Sequence, residues 1–139
     1  MISDYQDIAE YIRKNYKTKV VEVGIGSLPQ VAIALKDSLD VIVTDVVELK
    51  YTEVHSVIDD IFSPDIEIYQ DASLIYSIRP PVDIQEAIAR VAKEVGADLL
   101  IRPFGNEKAD LRKFFKKCTL LNYKKARFYL YMAGESSPV

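Results

Sequence analysis

An α/β fold, with a doubly wound and mostly parallel sheet of about seven strands, is predicted by three features of this 139-residue sequence. Short β-branched runs alternate with helical patterns, as in strand–helix–strand units. The runs are apolar almost throughout, which suits a sheet covered on both faces. The last two are joined only by Lys124-Lys125, too short for a parallel crossover, so that closing pair is antiparallel.

Taken in order, Tyr5, Ile8, Ala9, Ile12 and Tyr16 share one helical face, with Ser3 or Asp4 placed as N-cap. The run 19–23 reads as a first strand that stops at Gly24. Gly26-Ser27-Leu28-Pro29 makes a turn, and Pro29 opens a helix reaching about Lys36. Residues 41–44 form a second strand ending in Asp45, and 54–58 a weaker third closed by Asp59-Asp60. The span 63–69, entered through Pro64, reads as a short helix or turn. A fourth strand, 73–76, is stopped by Arg79-Pro80-Pro81.

The clearest helix carries Ile84, Ala87, Ile88, Val91, Ala92 and Val95 on one stripe. Asp83 with Glu86 resembles a capping box, and Gly96 supplies the stop. Strand five, 98–102, ends at Pro103. Asn106 is placed as the cap of another helix, with Leu111, Phe114, Phe115 and Cys118 as its apolar stripe and lysines opposite. Residues 119–123 and 126–132 close the sheet. A single domain over 1–133 with a frayed tail, 134–139, is expected.

Composition narrows the chemistry. One cysteine, Cys118, and one histidine, His55, argue against a zinc module, a disulfide scaffold or a histidine-based hydrolase, and no metal site is expected. No run of ~18 apolar residues is available for a membrane span, and the start carries aspartates without basic residues, unlike a targeting signal. A soluble cytoplasmic protein, with no membrane contact, is the expectation. The net charge of −3 conceals a basic segment: eight of the eighteen Lys and Arg residues lie between Lys108 and Arg127, beside one acid, Asp110. Lys113, Lys116 and Lys117 there are candidates for nucleic-acid contact, although a solvated helix face accounts for them more simply. Tyr123, Phe128, Tyr129 and Tyr131 could stack on bases; sheet filling or a homodimer face is the preferred reading.

The chemistry-bearing pattern lies at the strand ends. Val20-Val21-Glu22-Val23-Gly24-Ile25-Gly26-Ser27 runs a strand into a glycine turn and a helix, where backbone can lie against a ligand. Asp45 ends the next strand, where a carboxylate can accept hydrogen bonds from both hydroxyls of a ribose. Pro29 follows where a nicotinamide-type fingerprint would place a third glycine.

Glu22-x-Gly24-x-Gly26, Asp45, Asp59-Asp60 and the reversed closing strand together resemble class I, Rossmann-like S-adenosylmethionine-dependent methyltransferases. More narrowly, Asp59-Asp60-Ile61-Phe62-Ser63-Pro64 and Ala72-Ser73-Leu74-Ile75-Tyr76-Ser77-Ile78-Arg79-Pro80-Pro81 resemble an uncharacterised family of small archaeal proteins with this fold. The resemblance implies S-adenosylmethionine as cofactor. Gly24 and Gly26 would lie against its methionine part, with Glu22 ordering the loop. Asp45 would hold the ribose, Asp60 the adenine amino group, and the Ile61 backbone the ring edge. Residues 72–81, Tyr76 and Ser77 included, would line the transfer site, although Tyr76 also suits sheet packing.

The chain departs from the pattern in three places. Leu28 stands where a further glycine is expected. Only eight residues separate Asp45 from Val54, short of a full crossover with its helix (~10–12), so the helix covering the adenine side is reduced or missing. Arg79 occupies the position before Pro-Pro where amino-methylating relatives carry Asp or Asn, which argues against that acceptor class. Arg79 and Arg102 each follow a strand and precede proline, so both should emerge on one rim. They are candidates for clamping an anionic substrate group, against the alternative of salt bridges to Asp71, Asp83 or Asp98.

The leading expectation is a minimal S-adenosylmethionine-binding protein with methyl transfer to an unknown acceptor and no assigned catalytic residue. The alternative is a non-catalytic module, binding a nucleoside, RNA or protein on a degenerate version of the same fold. A nicotinamide binder is the third reading.

Overall fold

A computed structural model describes residues 4–24, 29–49 and 53–134. Helix α1, Tyr5–Asn15, leads into β1, Lys19–Val23; α2, Gln30–Leu35, connects it to β2, Asp40–Asp45. Strand β3, His55–Ile58, is followed by a 3-10 turn at Ile66–Ile68 and by β4, Leu74–Ile78. Helix α3, Val82–Val95, precedes β5, Asp98–Arg102, and the hairpin of β6, Cys118–Tyr123, and β7, Ala126–Tyr131, ends the sheet. The strand order is β3-β2-β1-β4-β5-β7-β6. The first five are parallel to one another, and β7 is antiparallel to both β5 and β6.

Alternation along the strands divides the core in two. Val20, Val41, Leu74, Leu100 and Phe128 face α1 and α2, packing on Ile8, Ile12 and Leu35. Val21, Ile75, Leu99, Ile101 and Tyr131 face α3, packing on Ile88, Val91 and Ala92. Helix α3 stops where Gly96 takes the left-handed conformation at φ 77°, which a side chain would disfavour.

Three local expectations need correction. The segment expected to form a helix from Asn106 to Cys118 contains turns, a bend and irregular backbone, and reaches strand only at Cys118. Gln85, fully buried on α3, donates to the carbonyls of Pro80 (3.0 Å) and Glu107 (2.8 Å) and accepts the amide of Ala109 (2.9 Å), pinning 107–109 outside a helix. Asp110 accepts from the backbone and guanidinium of Arg112, favouring a local turn. Leu111 and Phe115 still bury themselves against the α3 side, but Cys118 opens β6 at an exposed position. Second, Pro81 is the N-cap of α3, so Asp83 lies inside the helix and makes no capping box. Third, Asp4 is the N-cap residue of α1 but does not cap with its side chain, which is committed to Arg102 instead.

Between β2 and β3, residues 46–49 and 53–54 are bends and irregular backbone. Among the described residues no helix covers that flank, as the short connection predicts.

Candidate functional site

In the sheet order, β1 is flanked by β2 on one side and β4 on the other, the point at which a doubly wound sheet opens a crevice at its carboxyl edge. A hollow of about 210 Å³ lies there, lined by Gly24, Thr44, Asp45, Asp60, Ile61 and Phe62 among others.

The glycine contributes by closeness. Its N–H donates to the Thr44 carbonyl at 2.7 Å, extending the β1–β2 ladder by one bond. A Cβ at position 24 would stand 3.3 Å from that carbonyl oxygen and 3.4 Å from Asp45 Oδ2, tighter than a side chain comfortably sits. Asp45 is almost completely buried, and its Oδ1 accepts the amide of Val47 at 3.3 Å. The carboxylate therefore has a fixed direction while forming part of the wall. Asp60 is exposed at the lip, its Oδ1 accepting the Phe62 amide at 3.0 Å. Ile61 is buried beneath, and Phe62 is 60% exposed.

Asp59 has a structural task. Its Oδ1 accepts the amide of Asp65 at 2.9 Å and its Oδ2 the hydroxyl of Tyr69 at 2.7 Å, which also reaches Thr44 Oγ1 at 3.3 Å. That network ties the loop after β3 to the end of β2. Burial pushes the Tyr69 hydroxyl above its ordinary range.

Glu22 lies on the opposite face of β1 from Val23 and accepts the hydroxyl of Tyr76 at 2.8 Å. Burial raises its carboxyl to about 7, against the lowering effect of the Tyr76 bond. Ser77 is likewise fully buried and donates to the Val23 carbonyl at 2.7 Å. Tyr76 and Ser77 thus weld β4 to β1 and, contrary to the expectation that they line a transfer site, present no surface to a substrate. Gly26 lies outside the described residues.

The expected arginine pair divides. Arg79 donates its backbone N–H to the Arg102 carbonyl at 2.6 Å, but it adopts φ 59° and its guanidinium lies 5.7 Å from the Phe104 ring centre. Its Nε is buried with no hydrogen-bond partner. Arg102 instead turns to Asp4, Nε–Oδ2 3.2 Å and Nη2–Oδ1 3.4 Å, so its carboxylate partner is none of the three expected. Of the basic residues expected on a helix, Lys113 pairs with Glu86 at 2.9 Å and stands in a turn, Lys116 stands in a bend and Lys117 on irregular backbone.

Five apolar lining residues are not singled out by the sequence as site residues: Val23, Val46, Val47, Phe62 and Ile84. The signal was present, since Val46-Val47 follows Asp45 directly and Phe62 comes two residues after Asp60. Val46 and Val47 are both more than half exposed.

Comparison with known proteins agrees with this architecture. A model of an uncharacterised protein family, UPF0146, matches residues 5–133. A UPF0146 protein of Archaeoglobus fulgidus is 45% identical over 125 residues, covering 88% of this chain and 91% of that one. Another, from Methanothermobacter thermautotrophicus, is 41% identical over 133 residues, covering 93% and 96%. Among solved structures, an RNA methyltransferase from Salinibacter ruber in complex with S-adenosyl-L-homocysteine superposes at TM-score 0.64 with 11% identity, over 99% of this chain and 95% of that one. A TehB-like SAM-dependent methyltransferase from Corynebacterium glutamicum gives 0.62 with 14% identity, over 93% and 87%. At such identities the likeness is one of fold: a methyltransferase-like, Rossmann-type sheet with a reversed closing strand.

Proposed function

The chain belongs to the uncharacterised family UPF0146, and from that footing we propose that it binds S-adenosylmethionine in the hollow over β1, β2 and β3, as a minimal methyltransferase-like protein. One observation carries the reading: the Gly24 backbone lies against the end of β2 beside the buried Asp45 carboxylate, where a methyl group at position 24 would crowd the Thr44 carbonyl oxygen at 3.3 Å and touch Asp45 Oδ2 at 3.4 Å. This is how backbone is kept low beside a ribose-gripping acid. The residues fit a nucleoside. Asp45 offers a carboxylate to the sugar hydroxyls, Asp60 offers one to an exocyclic amine, and Ile61 and Phe62 offer apolar surface to a base.

When bound, the sulfonium supplies a methyl group to a nucleophile. The contribution of the chain to such a reaction is placement. Gly24 admits the cofactor to the rim, Asp45 fixes its sugar, and the Tyr76–Glu22 and Ser77–Val23 bonds hold β4 rigid against β1 beneath. Alignment of that kind supplies much of the rate of a displacement at carbon.

Calorimetry with S-adenosylmethionine, S-adenosylhomocysteine and NAD tests the reading on wild type and Asp45→Ala. Saturable binding of the first two, lost in the variant, is expected. No binding of either, or undiminished binding to the variant, overturns it; preference for NAD favours a nicotinamide-type ligand. Binding without turnover on any acceptor identifies the non-catalytic nucleoside module.

A further inference from the structure

A second hollow, of about 310 Å³, opens on the same rim two strands away, between the loop after β5 and the start of β7. Arg102, Lys125 and Arg127 line it against a single carboxylate, Asp4. This imbalance is local, because the chain as a whole is acidic.

The three cations are differently prepared. Arg102 is fixed: Asp4 takes its Nε and Nη2, and the Pro103 carbonyl takes Nη1 at 3.1 Å. A guanidinium has five N–H donors, so two remain, held at a set angle by a side chain only 20% exposed. Lys125 and Arg127 form no ion pair among the described residues. Asp7 accepts the backbone amide of Lys125 at 3.0 Å and not its ammonium, while the neighbouring Lys124 takes Glu10 at 2.7 Å. The Asn106 side chain is also on the wall. Like charges lining one hollow repel one another, and a bound anion relieves that repulsion.

We propose that this hollow binds a phosphate group. A carboxylate is met by one arginine fork, whereas a phosphate presents enough oxygens for one oriented guanidinium and two mobile cations. Antiparallel β7 begins where β5 ends, so the hairpin delivers Lys125 and Arg127 to the rim already carrying Arg102. The site is independent of the cofactor reading. Where both hold, a phosphate anchored here lies roughly 10–14 Å, two to three strand spacings, from the end of β1, a reach suited to the body of a phosphorylated acceptor.

The test measures inorganic phosphate binding by calorimetry at constant ionic strength, without cofactor. Wild type should bind phosphate saturably and acetate far more weakly. The double variant Lys125→Ala/Arg127→Ala, altered only at exposed positions, should keep its melting temperature and weaken phosphate binding about tenfold or more. Ribose 5-phosphate and a 5′-phosphorylated RNA trinucleotide, each competed with phosphate, identify the source: displacement by either supports the site, and the tighter names the class. No saturation up to tens of millimolar, equal affinity for acetate, or unchanged affinity in the double variant overturns the proposal. S-adenosylmethionine binding measured alongside reports separately on the first hollow.

Discussion

Tyr76 and Glu22, register partners on adjacent parallel strands, share a 2.8 Å hydrogen bond in which the phenol donates and the carboxyl accepts. Both side chains are closed off from water. Burial lifts the Glu22 carboxyl from 4.5 to about 7. Between those values the folded chain holds a proton that the unfolded chain has released. Stability is therefore greatest below the unfolded value, declines as pH rises toward 7, and levels off above it. The expected loss is about 3 kcal/mol. Glu22→Gln keeps an acceptor for Tyr76 and removes the titration, so its melting temperature should vary much less between pH 5 and 8 than that of wild type. Parallel pH profiles would refute the assignment.

Gly24→Ala places a methyl group 3.3 Å from the Thr44 carbonyl oxygen and 3.4 Å from Asp45 Oδ2. Local overpacking should cost about 1 kcal/mol in denaturant unfolding. On the proposed function, affinity for S-adenosylmethionine should fall about tenfold as well, since the methyl group occupies the cradle.

Phe62→Ala alters a side chain that is mostly exposed, so stability should stay within about 0.5 kcal/mol. Burying that ring under a bound base would be worth about 1 kcal/mol. A roughly fivefold weaker S-adenosylmethionine isotherm with an unchanged melting temperature is the expected pairing.

Tyr69→Phe removes a hydroxyl shared by Asp59 and Thr44. Destabilisation of about 1–2 kcal/mol is expected. The loop after β3 should show faster amide exchange, while β5 and α3 keep their protection.

Gln85→Ala strips three hydrogen bonds from the Pro80 carbonyl and the 107–109 backbone. A loss of about 2–4 kcal/mol should accompany new protease sensitivity confined to 103–117. Equal sensitivity in wild type would show that Gln85 does not hold the segment.

What could be read without coordinates, and what could not, differs for physical reasons. The strands of the parallel sheet announce themselves because burial on both faces demands continuous apolar runs, and the two-residue Lys124-Lys125 link dictates an antiparallel pair. The segment from 106 to 118 misled because Leu111, Phe114, Phe115 and Cys118 keep helical spacing, while the force that overrides it comes from Gln85, more than twenty residues away. A glutamine beside the apolar stripe of α3 was the available signal. At the candidate site, Asp45 was legible because a carboxylate at a strand end is anomalous. Tyr76 and Ser77 were not, since sequence position says which strand they occupy and not toward which layer they turn. Arg102 was placed on the correct rim, but its partner lies 98 positions away at the start of the first helix, beyond the reach of any local pattern.

The bond from Asp4 to Arg102 makes the opening turn of the chain a structural part of its fifth strand. Removing Asp4 would free the guanidinium of Arg102 and take away the carbonyl that accepts the first amides of α1, so versions lacking it are unsuitable for measuring anything at the β5 rim.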